Sequence, residues 1–459
     1  MLLPSGFSFV YSGDVDAFYL LSGGDAVSLT AQLSQLINRS QPDHVARQRA
    51  SEGVQDFLAV SWPVLNQQAP DSGLPLLKTL YRDGGPASRA LLLGYAAHAL
   101  DYDDFHADFR GHPSVVILPT LLAWAAENNT FDAARLLDAY IIGVEMAGRL
   151  GLAMTQSHYT LGYHNTASLG TLAAAAALAR FNGADARQTA VLLGIAATEA
   201  SGLRAQFGSA VKPLHAGFAA ERAVRAAQLP LAGFAGQAEG VLEAFISLGS
   251  AREAQPEKLL ENWGAPWRIV SPGLEFKPFA TCAGTHSAAE ATREIRQRWS
   301  GAAAELLSAI DRITVAFPPG GDIAASVRQP KNGIEARFSL EYVIAAMLIY
   351  GDLRMADFAE GEVNPQIMAL AAKVTRQPDE GAPPDAINPG LRFHEVTLFL
   401  RDGTALRQRR TRQQSLATPV DVAGKLRAAL DDQPALLACS ALRDDEDLRR
   451  LTQTLIAAL

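Results

Sequence analysis

From Asp25 to about residue 250 the chain repeats one pattern: apolar residues at helical spacing, broken by short connections. A stack of packed helices is the fold that satisfies it. Ala26, Leu29, Leu33 and Ile37 open the series. Helices are then predicted over Pro86–Leu100, Pro113–Asn128, Phe131–Leu152, Thr166–Phe181, Ala184–Ser201, Pro213–Ala227 and Glu239–Leu248. Pro113 suits a first helical turn, where its missing N–H is not needed. Asn182-Gly183 is a natural helix stop. Dense alanine and only 7% aromatic residues favour close helix-on-helix packing.

The pattern changes near Trp267. Arg312–Phe317 alternates like a strand and ends at Pro318-Pro319-Gly320-Gly321. His394–Leu400 reads as a second strand, turned at Arg401-Asp402-Gly403 into a hairpin partner over Ala405–Arg410. Phe338–Tyr350 and Asn364–Ala372 read as helices, Gln377–Gly390 as a loop, and the chain is helical again from Val420. The expected fold is mainly α: a large all-helical domain plus a smaller α+β lid domain. The expected division is an irregular leader (1–24), a helical domain (25–267), the α+β lid (268–412), and C-terminal helices (413–459) returning to the helical domain.

Several functions are disfavoured. The net charge is -8 and no basic run with interleaved aromatics occurs, so no nucleic-acid partner is expected. The longest apolar runs, Leu172–Ala179 and Tyr342–Tyr350, fall far short of the ~20 residues that a membrane span needs. The opening residues lack the basic stretch of a signal peptide, so a cytoplasmic location is expected. Only two cysteines occur, far apart, which leaves too few thiolates for an iron–sulfur cluster. No GxSxG elbow, P-loop or dinucleotide fingerprint is present.

Four segments gather titratable side chains beside glycine and proline, the texture of an active site. The first runs from His98 through Asp101-Tyr102-Asp103-Asp104-Phe105-His106 to Gly111-His112-Pro113-Ser114. An acidic turn is ordinarily a solvated loop, but His112 here abuts a helix start, which favours its neutral, proton-accepting form. The second is Gly162-Tyr163-His164-Asn165-Thr166, at another helix start. The third is Lys212-Pro213-Leu214-His215-Ala216-Gly217, and the fourth Lys277-Pro278-Phe279-Ala280-Thr281-Cys282-Ala283-Gly284-Thr285-His286. Thirty-three of the 40 basic residues are arginine, so a lysine kept in a proline-bounded turn points to a need for a compact ammonium. No HExxH or zinc-ligand spacing accompanies these segments.

Taken in order, these segments and Glu335-Ala336-Arg337-Phe338-Ser339 resemble the MmgE/PrpD family. That family includes 2-methylcitrate dehydratases, cis-aconitate decarboxylases and iminodisuccinate epimerases. The resemblance implies a small polycarboxylate as substrate, no cofactor, no metal, and a homodimer. By position it implies catalytic roles for Asp101, His112, His164, Lys212 and Lys277. Asp104, Tyr163, Cys282 and His286 are expected to bind substrate. Cys282 stands where the decarboxylase branch has a histidine, which argues against decarboxylation of cis-aconitate. Phe105 stands where many members have a small hydroxyl residue, and the first residues depart from the usual family start.

The resemblance thus implies a cofactor-free lyase of the 2-methylcitrate dehydratase kind. The alternatives are an epimerase of a dicarboxylate such as iminodisuccinate and a non-catalytic carboxylate-binding dimer. Lys212 and Lys277 would hold substrate carboxylates, His112, oriented by Asp101, would move the proton, and His164 would serve the leaving group.

Overall fold

In a computed structural model of the protein, residues 27–385 and 389–459 are described. The expected leader over 1–24 lies outside them, as do residues 386–388 of the expected loop. The first lobe is helical: α1 (Leu29–Arg39), α2 (His44–Leu65), α3 (Pro86–His98), α4 (Ser114–Asn128), α5 (Ala133–Ala153), α6 (Asn165–Asn182), α7 (Ala186–Glu199) and α8 (Val211–Leu231) are its main elements. Local chemistry sets their ends. Asp43 accepts a hydrogen bond from the Ala46 amide at 2.8 Å to open α2. Gly183, at φ 63°, closes α6 where the sequence predicted a stop.

α6 is buried on almost every face, so its alanines meet neighbours all round. It packs on α5 and α8, and α8 packs in turn on α3. The α3–α8 crossing is tight because glycines meet there. A Cβ on Gly94 would lie 3.0 Å from the Gly217 Cα, and a Cβ on Gly217 only 2.5 Å from the Leu91 carbonyl oxygen. This crossing brings the last residue of α3, His98, against Lys212 in the first turn of α8. Gly217→Ala therefore forces the helices apart. It is expected to cost about 1–3 kcal/mol and to lower turnover by withdrawing Lys212. Urea unfolding and initial rates check both, and a variant matching wild type in the two would remove the crossing from the argument.

The second lobe holds one four-stranded sheet in the order β2-β1-β3-β4, with β1 (Ile310–Phe317), β2 (Val374–Pro378), β3 (Phe393–Leu400) and β4 (Ala405–Thr411). β1 pairs antiparallel with β3 and parallel with β2, and β3 pairs antiparallel with β4. Helices α9 (His286–Arg298) and α10 (Leu340–Tyr350) complete a separate apolar core with β1 and β3. α11 (Val422–Ala429) and α12 (Asp445–Ala457) leave this lobe and place Leu426, Leu448, Leu451 and Leu455 in the helical core.

β2 is a strand that the sequence reading did not place; it follows a helix over Pro365–Ala371, close to the expected Asn364–Ala372, and takes Gln377 and Pro378 from the expected loop over Gln377–Gly390. Its inward position is Arg376, buried and paired with both Glu341 carboxylate oxygens at 2.7 Å and with Asp322 at 2.9 Å. A strand whose buried face carries an ion pair shows no apolar alternation to read. Among the described residues no helix is long and apolar enough to cross a membrane.

Candidate active site

The loop from Ala99 to Pro113, between α3 and α4, carries the acidic turn into the junction of the two lobes. Asp101 sits there with φ 50°, a left-handed conformation that aspartate tolerates better than most residues. Its Oδ1 accepts a hydrogen bond from Lys212 Nζ at 2.8 Å and from Lys277 Nζ at 3.0 Å. Lys277 also donates to the Asp101 carbonyl at 2.7 Å. One carboxylate thus joins an ammonium from α8 to one from the chain entering the second lobe. All three are almost fully buried. Burial pushes the Asp101 carboxyl up, but the two ammoniums outweigh it and hold it well below the usual carboxylate range. Burial lowers the Lys277 ammonium, and Asp101, with Asp103 behind it, raises it above its ordinary value.

Asp103 performs a second task. Its carboxylate faces His98 Nδ1 at 2.9 Å and His112 Nδ1 at 3.0 Å. His112 Nδ1 also lies 2.7 Å from the Asp104 carbonyl oxygen. Carboxylates and carbonyls only accept, so both Nδ1 atoms carry the proton and both Nε2 atoms are left as acceptors. His98 spends its lone pair on Lys212, at 2.9 Å. His112 Nε2 stands 4.0 Å from Asp101 Oδ1. Burial lowers the His98 imidazole to about 3 and also lowers that of His112, so both are neutral near pH 7. The expected orientation of His112 by Asp101 is corrected: Asp103 and the Asp104 carbonyl orient it. Its backbone is fixed to α6 as well, since the His112 amide donates to Thr166 Oγ1 at 3.0 Å.

His164 immediately precedes α6, its ring 6.1 Å from that of His98 and its Nδ1 3.1 Å from His215 Nδ1. Burial, then Lys212 and the neighbouring imidazoles, hold it well below its usual range. Cys282 and His286 line the next shell of this junction. The Cys282 amide donates to the Arg337 carbonyl at 3.0 Å, and burial pushes its thiol up. His286 Nε2 lies 3.1 Å from the Thr281 carbonyl oxygen, bracing the turn that delivers Lys277.

Two expected binding residues are not brought into the cluster. Asp104 turns away to Ser114, which also bonds Tyr140, and burial beside Asp56 lifts its carboxyl to about 8. Consecutive residues of a tight turn point in different directions, and Asp103 takes the inward one. Tyr163 lies flat on His158, ring centroids 4.3 Å apart.

Sequence reasoning passed over His98, Asp103, His215 and Arg337 as site residues. The first two were visible as a buried helix ending in histidine directly before an acidic turn. Arg337 lay in the last motif; its guanidinium binds the Ala99 carbonyl at the end of α3 and the Phe358 carbonyl at 2.9 Å. Lys425, on α11, supports the loop from below, donating to Asp56 at 2.7 Å and to the Tyr102 carbonyl at 2.8 Å.

His98, Asp101, Asp103 and His112 offer ligand atoms within 4.8 Å of one another. A divalent cation among them would sit against the ammoniums that already neutralise Asp101, so the donor set fits protons and carboxylates better than a metal.

Comparison with known proteins agrees with this layout. The model of the MmgE/PrpD N-terminal domain matches residues 32–248, and that of the MmgE/PrpD C-terminal domain matches residues 279–433. The chain is 30% identical over 333 residues to a cis-aconitate decarboxylase of Homo sapiens, covering 71% of this chain and 67% of that protein. It is 30% identical over 338 residues to the Mus musculus cis-aconitate decarboxylase, with the same coverage, and 27% identical over 348 residues to one from Aspergillus terreus, covering 70% and 69%. With both domain models matched in order along most of its length, the chain belongs to the MmgE/PrpD family.

Proposed function

We propose that the protein is a lyase acting on a small polycarboxylic acid, and that it removes water by abstracting a proton beside a carboxylate, in the manner of a 2-methylcitrate dehydratase. The observation that carries this reading is the pair of ammoniums on Asp101. A C–H beside a carboxylate is a weak acid because its anion piles charge onto an anionic group, and two buried ammoniums offset that charge. Substrate carboxylates take up Lys212 and Lys277. His112 Nε2, neutral and with its tautomer fixed, accepts the proton. The electron pair left on carbon forms the double bond as the C–O bond breaks. The departing hydroxyl leaves as water with a proton from the Lys212 ammonium, since burial and the neighbouring cation keep His164 in its neutral, proton-accepting form. Lys212 thereby replaces His164 as the acid.

Decarboxylation of cis-aconitate is the second reading, favoured by the names of the curated relatives. The neutral, buried Cys282 counts against it, since it offers that substrate no cation. One experiment separates the two. The protein is incubated with 2-methylcitrate, citrate or cis-aconitate, with and without chelator, and followed by ultraviolet absorbance and carbon dioxide release. A chelator-resistant absorbance rise with 2-methylcitrate is expected. Carbon dioxide from cis-aconitate alone would transfer the assignment to the decarboxylase. No change with any acid would sink both, leaving proton–deuterium exchange on dicarboxylates to test epimerisation.

A further inference from the structure

Arg204 stands at the edge of the site with its charge unmatched. Residues 162–164 and 202–204 run antiparallel. The His164 amide donates to the Gly202 carbonyl at 3.0 Å and the Arg204 amide to the Gly162 carbonyl at 2.9 Å, with Tyr163 opposite Leu203. Successive side chains of such a ladder face opposite ways. Leu203 is exposed and Tyr163 lies flat on His158, so that face leads away from the cluster. His164 and Arg204 share the other face, as diagonal neighbours about 7–8 Å apart. It is the face on which the His164 ring meets His98. The Arg204 carbonyl also accepts from the Phe207 amide at 2.9 Å, and the Phe207 ring centroid lies 5.5 Å from Lys212 Nζ.

The guanidinium lies over the Tyr159 ring, 4.1 Å from its centroid. The ring holds one face of the guanidinium and leaves the N–H edge for another partner. Arg204 Nε is buried without a hydrogen-bond acceptor, and among the described residues no carboxylate pairs with the side chain. Arg392, near the same tyrosine, differs: Asp385 binds it at 2.6 Å. Burial raises the Tyr159 phenol while both guanidiniums oppose it. Cys282 belongs to both neighbourhoods, since Asp101 and Lys277 act on its thiol, and the thiol in turn acts on Tyr159 and Arg392. A half-buried guanidinium with an orphaned donor, beside a site for anions, is satisfied when a carboxylate fills its fork.

We infer that Arg204 is a substrate-binding residue that determines specificity: its guanidinium, backed by Tyr159, takes the carboxylate left over once Lys212 and Lys277 have bound theirs, so that the site selects acids with three carboxylates over acids with two. The inference rests on the polycarboxylate reading above and gives the third carboxylate a residue outside the ammonium pair.

The test is binding of three unreactive acids, measured by isothermal titration at one ionic strength. Succinate carries two carboxylates for the ammonium pair. Tricarballylate adds a carboxymethyl arm, and 2-isobutylsuccinate replaces that arm with an uncharged group of the same shape. The wild type is expected to bind tricarballylate about ten- to a hundredfold more tightly than either of the others. Arg204→Gln is expected to remove most of that advantage while leaving succinate within about twofold. Arg204→Lys, which keeps the charge and loses the fork, retains part of it. A wild type that binds 2-isobutylsuccinate as tightly as tricarballylate overturns the inference. So does a glutamine variant that keeps the preference or weakens all three acids alike, and so does failure of all three to bind. Turnover plays no part in this readout. Dehydration without a preference for tricarballylate leaves the proposed function standing and removes only the role of Arg204, whereas a preference that depends on Arg204 without turnover does the reverse.

Discussion

Asp101→Asn is expected to lower kcat by roughly a hundred- to a thousandfold and to destabilise the fold by about 3–5 kcal/mol. The two effects share a cause. Lys212 and Lys277 are buried, and Asp101 Oδ1 is the carboxylate oxygen that both of them bind. An amide of the same size leaves two positive charges facing each other with that negative partner removed. Breaking a buried pair from one side costs more than the pair contributes, because the remaining charge stays desolvated. Asparagine also accepts the left-handed backbone at this position, so the loss reflects charge rather than strain.

The pH dependence of that deficit follows from linkage. Asp101 has a depressed folded pKa, so its contribution is fully present above the ordinary carboxylate range and fades only as pH falls through the folded value. In the variant the unpaired ammoniums acquire depressed values instead. Their penalty is largest at neutral and acid pH and shrinks as pH rises and they shed protons. Denaturant midpoints of both proteins between pH 6 and about pH 9 measure it. A variant as stable as wild type at pH 7 would show that the two ammoniums find other partners.

The helical lobe was legible because its signals are local. Helix-period apolar residues, Pro113 at a first turn and Asn182-Gly183 at a stop each act within a few residues, and the elements formed where those signals lie. β2 was not legible, since Arg376 occupies its inward face and its partner Glu341 lies 35 residues away. The site divides in the same way. Lysines and histidines beside proline and glycine marked the right segments, and three of them, His112, Lys212 and Lys277, meet around one oxygen of Asp101. Which carboxylate of the acidic turn orients the imidazoles was hidden. Asp103 and Asp104 are neighbours of one type, and only the folded turn tells them apart, with Asp103 facing the imidazoles and Asp104 facing Ser114. The α3–α8 crossing was hidden too, because Gly94 and Gly217 gain their meaning only when the helices are packed.

His112→Gln is expected to cut kcat by roughly a hundred- to ten-thousandfold with little change in KM, since His112 moves the proton and the ammoniums hold the substrate. A general base works only when unprotonated. Burial lowers the His112 pKa, and Lys277 and Lys212 lower it further against the opposing pull of Asp103. The base form therefore persists below the ordinary imidazole value of about 6.5. In the wild type kcat/KM is expected to stay level as pH falls through that value and to drop only at lower pH. Glutamine does not titrate, so the variant's residual activity loses this acid limb. Replacing Asp103 with asparagine removes the charge that opposes the lowering and weakens the hold on Nδ1, so its acid limb moves to still lower pH while kcat falls. The profile is read from initial rates on whichever acid the ultraviolet or carbon dioxide assay shows to turn over. A wild-type limb centred at or above about 6.5, or a glutamine variant that keeps the limb, places the base elsewhere. Retention of the limb after loss of His112 would leave His164 as the imidazole to test next, because it is neutral, lies beside Lys212 and has its ring 6.1 Å from that of His98.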